Sequence, residues 1–148
     1  MAENKETVKT EAIVYSLADI QNVVQIIKKQ MEHASVFCLY GDLGAGKTTL
    51  MKNILASCGV IDTITSPTFT HVNIYKNTKD QTFYHFDLYR IHDVEEFLMM
   101  GFDEYLRVAN SKVFIEWPEV IESLLKENVC HINLDYGRHL NERIINIV

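Results

Sequence analysis

The residues best suited to chemistry lie in one run, Gly41-Asp42-Leu43-Gly44-Ala45-Gly46-Lys47-Thr48-Thr49-Leu50. Gly41, Gly46, Lys47 and Thr48 fit the phosphate-loop pattern G-x-x-x-x-G-K-[ST]. Glycines let the backbone turn sharply and approach a phosphate without a side chain in the way. Successive N–H groups then point at phosphate oxygens, reinforced by the N-terminus of the following helix. Lys47 supplies charge to the outer phosphates, and Thr48 offers its hydroxyl to Mg²⁺. Positions 41–49 are the expected nucleotide contacts, with a nucleotide's phosphates and Mg²⁺ as the expected ligands.

Such a metal usually takes a carboxylate from the end of a second apolar strand. Two residues qualify. Glu116 closes the apolar run Val113-Phe114-Ile115, the better match to a central strand. Asp87 closes an alternating aromatic run, Thr82–Phe86, which reads as a hairpin arm beside the site. Glu116 is therefore assigned to the metal with Thr48, directly or through water. Asp87 is assigned to positioning water or the metal shell.

The elements that must hold these groups are legible in outline. A short strand over 12–16 precedes a helix whose apolar positions Ile20, Val23, Val24, Ile27 and Met31 recur at helical spacing. Ser16 and Asp19 resemble a capping box at its start. The run 35–40 is continuously apolar, as in a strand buried on both faces. The glycine loop follows, then a helix over 47–57 stopped by Gly59. Runs 71–75 and 82–86 suggest a hairpin, 93–101 a short helix capped by Asp93, and 112–117 another strand. Pro118 opens a further helix, and two strands close the chain. The expected fold is α/β: a P-loop NTPase-like, three-layer domain with a central mixed sheet flanked by helices. Residues 1–148 form a single domain, with 1–10 read as a flexible tail.

Composition bounds the function. The chain has 148 residues, 47% hydrophobic and 23% charged, ordinary values for one globular domain. No apolar run approaches a membrane span and the polar N-terminus is unlike a signal peptide, so a cytoplasmic location is expected. Cys38, Cys58 and Cys130 are widely spaced and read as reduced thiols. The formal charge is −6, without a basic stripe to grip a nucleic-acid backbone. A role on RNA is expected to run through a partner.

Four segments in order, 41–50 (GDLGAGKTTL), 66–70 (SPTFT), 84–90 (YHFDLYR) and 115–119 (IEWPE), resemble the bacterial TsaE family, the small ATPase of tRNA threonylcarbamoyladenosine biosynthesis. The resemblance implies Mg²⁺-dependent ATP hydrolysis, weak alone and stimulated by partners. It implies a threonylcarbamoyltransferase heterodimer as partner, reset by hydrolysis between turnovers, with tRNA met only through that complex. It implies a switch-like segment at Ser66, Pro67, Thr68 and Thr70, where Thr68 senses the terminal phosphate or orients water. It places His85, Asp87, Tyr89 and Arg90 around the site, and Arg143 where an arginine reaches the nucleotide. His71 departs from the family's usual aliphatic residue.

Three other readings meet the same loop. A small-molecule kinase needs an acceptor site and a shielding lid, yet Arg90, Arg107, Arg138 and Arg143 are scattered. A GTP switch needs N-K-x-D after a strand, and Asn77-Thr78-Lys79-Asp80 has the wrong order. A regulatory module that holds nucleotide without hydrolysing it stays open for the isolated chain.

Overall fold

The computed structural model describes residues 12–148; the N-terminal tail expected from the sequence lies outside them. The described elements are β1 (Ile13–Ser16), α1 (Ile20–Gln30), β2 (Val36–Tyr40), α2 (Lys47–Ser57), β3 (Val72–Lys76), β4 (Thr82–Asp87), α3 (Val94–Met99), β5 (Ser111–Glu116), β6 (Val129–Tyr136) and β7 (Glu142–Ile147). Turns of 3-10 helix cover Leu17–Asp19, Phe102–Arg107 and Pro118–Leu124.

The strands form one sheet in the order β1-β7-β6-β2-β5-β4-β3. Strands β6, β2, β5 and β4 run parallel, while β3, β7 and β1 join antiparallel at the two sides. Strand β2, which feeds the glycine loop, is thus central and covered on both faces. Its alternate side chains enter different cores: Phe37 and Leu39 pack with α1 and α2, whereas Val36 and Cys38 pack with Phe97 and Ile121. The first layer is the helix pair, whose Val23, Val24, Ile27, Leu50, Met51 and Ile54 are fully buried. The opposite layer is α3 with the 3-10 turns around Phe102 and Ile121, so this face is roofed by short segments. A mixed sheet between two covering layers is the α/β arrangement expected.

The same alternation aims the chemistry. On β5, Val113 and Ile115 join the second core, so Phe114 and Glu116 face α2. On β4, Tyr84 and Phe86 join the second core, so Phe83, His85 and Asp87 face α2. Strand register sets Asp87 opposite Glu116 and His85 opposite Phe114.

Three local expectations need correction. Strand β4 is the expected hairpin arm, paired antiparallel with β3, but it is also an inner strand: Phe83, Tyr84, His85 and Phe86 are all buried, because β4 lies between β5 and β3 with both faces covered. Ser16 forms no capping box. Its hydroxyl donates to the Asp19 carboxylate at 3.0 Å instead of accepting from a backbone N–H. Finally, the segment opened by Pro118 is 3-10, not α-helical, over its whole length.

Candidate active site

The glycine loop runs from the end of β2 to the start of α2. Gly46 has φ 99°, in the left-handed region, and immediately precedes the helix. A side chain there would be strained. At Gly41 a Cβ would lie 2.7 Å from the Leu134 carbonyl oxygen on β6. The loop thus passes too close to the neighbouring strand for any larger residue.

A cavity of about 430 Å³ opens over the loop. Leu43, Gly44, Gly46, Lys47, Thr48 and Thr49 line it from the loop and α2. Asp87, Tyr89 and Arg90 come from the end of β4, and Glu116 and Trp117 from the end of β5. Ser66 and Thr68 contribute from the segment before β3. Parallel strands that end together on one edge of the sheet bring these distant segments to one place.

Thr48 and Glu116, 68 residues apart, meet here: the threonine hydroxyl donates to Glu116 Oε1 at 3.3 Å. The other carboxylate oxygen, Oε2, lies 2.6 Å from His85 Nε2. Glu116 is 3% exposed and His85 0%, so this pair is out of water. A hydroxyl and a carboxylate oxygen are hard donors suited to Mg²⁺, which commonly takes only one or two protein ligands alongside phosphate and water. The described residues contain no group of three or more His, Cys, Asp or Glu fit for a more heavily ligated metal. Asp87 faces the same space, and one of its oxygens accepts from the Tyr89 N–H at 3.1 Å.

Lys47 is folded back. Its ammonium donates to the Gly41 carbonyl and sits 3.6 Å from the centre of the Trp117 ring. Burial pushes its pKa down, opposed by the carboxylates of Glu116, Glu119, Asp87 and Asp42. Trp117 holds its ring in place from a left-handed backbone, φ 57°, at the turn out of β5. Tyr89 packs on the indole at 5.0 Å.

Gly41, Asp42 and Ala45 belong to the loop but do not line the cavity, and neither does Arg143. Arg143 grips the loop from behind. Its Nε donates to the Ala45 carbonyl at 3.1 Å and Nη2 to the Gly44 carbonyl at 3.4 Å. Nη1 donates to Leu140 and Glu142 carbonyls at 2.9 and 2.8 Å, which fixes the guanidinium plane. The group lies 5.0 Å over the Tyr136 ring, and the Tyr136 hydroxyl donates to the Leu43 carbonyl. Tyr136 was not foreseen from the sequence; a strand-end aromatic with a hydroxyl, at the close of β6, is the only signal it leaves.

The segment before β3 is pinned. Thr65 N–H donates to the Tyr75 hydroxyl at 3.2 Å, and Asn73 Nδ2 donates to the Thr65 carbonyl at 3.1 Å. Its other end closes in a turn, with His71 N–H on the Pro67 carbonyl at 3.0 Å. Between them Phe69 is 81% exposed, with the Arg90 guanidinium 5.1 Å above its ring.

A central strand, glycine loop and helix, with an acid closing the adjacent parallel strand, define a P-loop NTPase-like α/β protein. The solved structure of Bacillus subtilis YdiB has the same fold: it aligns with a TM-score of 0.64 and 28% identity, over 93% of this chain and 85% of that one. The family model for TsaE, threonylcarbamoyl adenosine biosynthesis protein, matches residues 14–145. A Haemophilus influenzae protein named tRNA threonylcarbamoyladenosine biosynthesis protein TsaE is 41% identical over 75% of this chain and 69% of its own length. A Rickettsia felis protein of the same name is 34% identical over 88% of this chain and 74% of its own length. The chain belongs to the TsaE family, and with it to tRNA threonylcarbamoyladenosine biosynthesis. No helix among the described residues is long and apolar enough to cross a membrane.

Proposed function

We propose that this chain is a Mg²⁺-dependent ATPase whose hydrolysis drives turnover of a threonylcarbamoyltransferase heterodimer acting on tRNA. One observation carries the reading: the Thr48 hydroxyl and the Glu116 carboxylate converge on the glycine loop, with Asp87 alongside on the next strand. Loop N–H groups bind the phosphates, and Lys47 leaves the Gly41 carbonyl and the Trp117 ring to meet the outer ones. Thr48 and Glu116 hold Mg²⁺. When bound, the ion neutralises charge building between the last two phosphates. Asp87 orients the attacking water and receives its proton. The Thr68 hydroxyl reports whether the terminal phosphate is present. Arg143 acts through the loop by fixing its carbonyls, so that the N–H groups on the other side stay aimed.

The net charge of −6 argues against direct tRNA binding and for contact through the heterodimer, in the cytoplasm. Coupling requires the ATP and ADP states to differ in affinity for that partner, because a ligand shifts an equilibrium only by its differential affinity. The test compares a single-turnover burst with steady-state tRNA modification in the reconstituted system. Glu116→Gln and Asp87→Asn are expected to keep the burst and lose the steady state. An unchanged steady state without this chain refutes the reading.

A further inference from the structure

We propose that His85 is a positioning residue that holds the Glu116 carboxylate in one orientation, leaving a single oxygen for the Thr48 side; the inference rests on the ATPase reading above. The imidazole is completely buried and lies 2.6 Å from Glu116 Oε2. Its other nitrogen, Nδ1, is buried with no hydrogen-bond partner. This asymmetry fixes the proton. A proton on Nδ1 would leave a buried donor unsatisfied and set the Nε2 lone pair against a carboxylate oxygen. A proton on Nε2 makes a charge-assisted bond and leaves only a bare acceptor. The Nε2–H of His85 therefore donates to Glu116 Oε2.

The consequence falls on the second oxygen. With Oε2 taken up, Glu116 cannot rotate to offer both oxygens, and Oε1 stays turned toward Thr48 at 3.3 Å. Strand geometry makes the hold rigid. His85 stands on β4 beside Phe114 of β5, two residues before Asp87 and one strand away from Glu116. The histidine thus sits beneath both carboxylates, with no exposed atoms of its own. Residues that orient a metal ligand from behind typically govern about 10- to 100-fold in metal affinity or activity.

The experiment uses the full chain. In the ¹⁵N spectrum of the metal- and nucleotide-free protein, His85 is expected to be protonated at Nε2 and bare at Nδ1; the reverse tautomer overturns the proposal. His85→Phe fills the same apolar space without the donor. It is expected to weaken Mn²⁺ binding in the presence of ADP, read by EPR, by about 10- to 100-fold. Its kcat falls by a similar factor while its affinity for ADP in EDTA is unchanged. His85→Gln, whose amide reaches the Nε2 position, is expected to recover most of both losses. Should His85→Phe fail to fold, the wild-type tautomer and the His85→Gln protein decide. Wild-type Mn²⁺ binding and kcat in a folded His85→Phe protein overturn the proposal. A wild-type chain that hydrolyses no ATP with its partners present refutes the ATPase reading instead, and the spectrum still judges the pairing.

Discussion

Replacing Arg143 separates two ways in which an arginine can serve a nucleotide. If it reached the phosphates, its charge would matter most, and Arg143→Lys would keep much of the affinity. The structure has it holding the carbonyls of Ala45 at 3.1 Å and Gly44 at 3.4 Å through a fork that lysine cannot reproduce. Hydrogen bonds from a charged donor contribute about 1.5–3 kcal/mol each when well made. Here the guanidinium is partly exposed and the Gly44 contact is long, so the pair holds the loop by about 1–2 kcal/mol. Freeing the loop lowers nucleotide affinity by that amount, about five- to thirtyfold in Kd. Arg143→Met, which keeps the apolar stem over Tyr136, and Arg143→Lys are expected to lose affinity about equally. Titration with a fluorescent ADP analogue at two salt concentrations measures it, and the ratio of mutant to wild-type Kd should not depend on salt. Wild-type affinity in Arg143→Lys together with a salt-dependent loss in Arg143→Met would refute the argument.

Lys47→Met should abolish measurable phosphate binding in the same titration, since the other residues lining the loop carry no lysine. Trp117 emission should change when Mg-ATP is added, because the ammonium 3.6 Å from its ring must leave; the Lys47→Met protein should show no such change. Burial, with smaller contributions from Glu122, Cys130 and Glu119, pushes the Cys38 thiol up to about 12, and burial alone pushes Cys130 up to about 11. Because these folded-state values lie above the unfolded one, the thiols' contribution is intact below about pH 9 and is lost as pH rises toward 11–12. Denaturant midpoints measured from pH 8 upward should fall across that window, and Cys130→Ala should flatten part of the fall. Phe37→Ala removes one ring of the stacked Phe37–Phe114 pair at the centre of the sheet and should destabilise the chain by about 3–5 kcal/mol, read by urea unfolding.

Much of this was readable because it is local. The β2–loop–α2 unit shows itself as an apolar run, glycines and a helical pattern in one stretch, and Glu116 shows itself as the acid that ends an apolar strand. What escaped depends on distant partners. His85 stands in an aromatic run that gives no sign of its partner, yet it is buried against a carboxylate 31 residues later, 2.6 Å away. Arg143 carries no signature of its role, since its partners are backbone carbonyls that any residue supplies. Ser16 had the right neighbour for a capping box, but its hydroxyl donates to that neighbour's carboxylate and accepts no backbone N–H. Short roofing segments also read poorly: Pro118–Leu124 has too few residues for a period to distinguish 3-10 from α.

The two ties on the segment before β3 set the stroke of any switch in this protein. Thr65 is moored to Tyr75, itself sunk in the core, and His71 is moored to β4 through the Asp87 N–H at 2.9 Å. The span from Ser66 to Thr70 lies between them as a short turn, closed by the His71 N–H on the Pro67 carbonyl. Under the proposed function, so short a tether would act as a latch, carrying Phe69 and the Arg90 guanidinium over it at the rim. The segment lies toward the side of the sheet where β3 forms the edge, five strands away from Arg143 on β7. The hold on the glycine loop and the exposed Phe69 ring are thus carried by opposite flanks of the sheet.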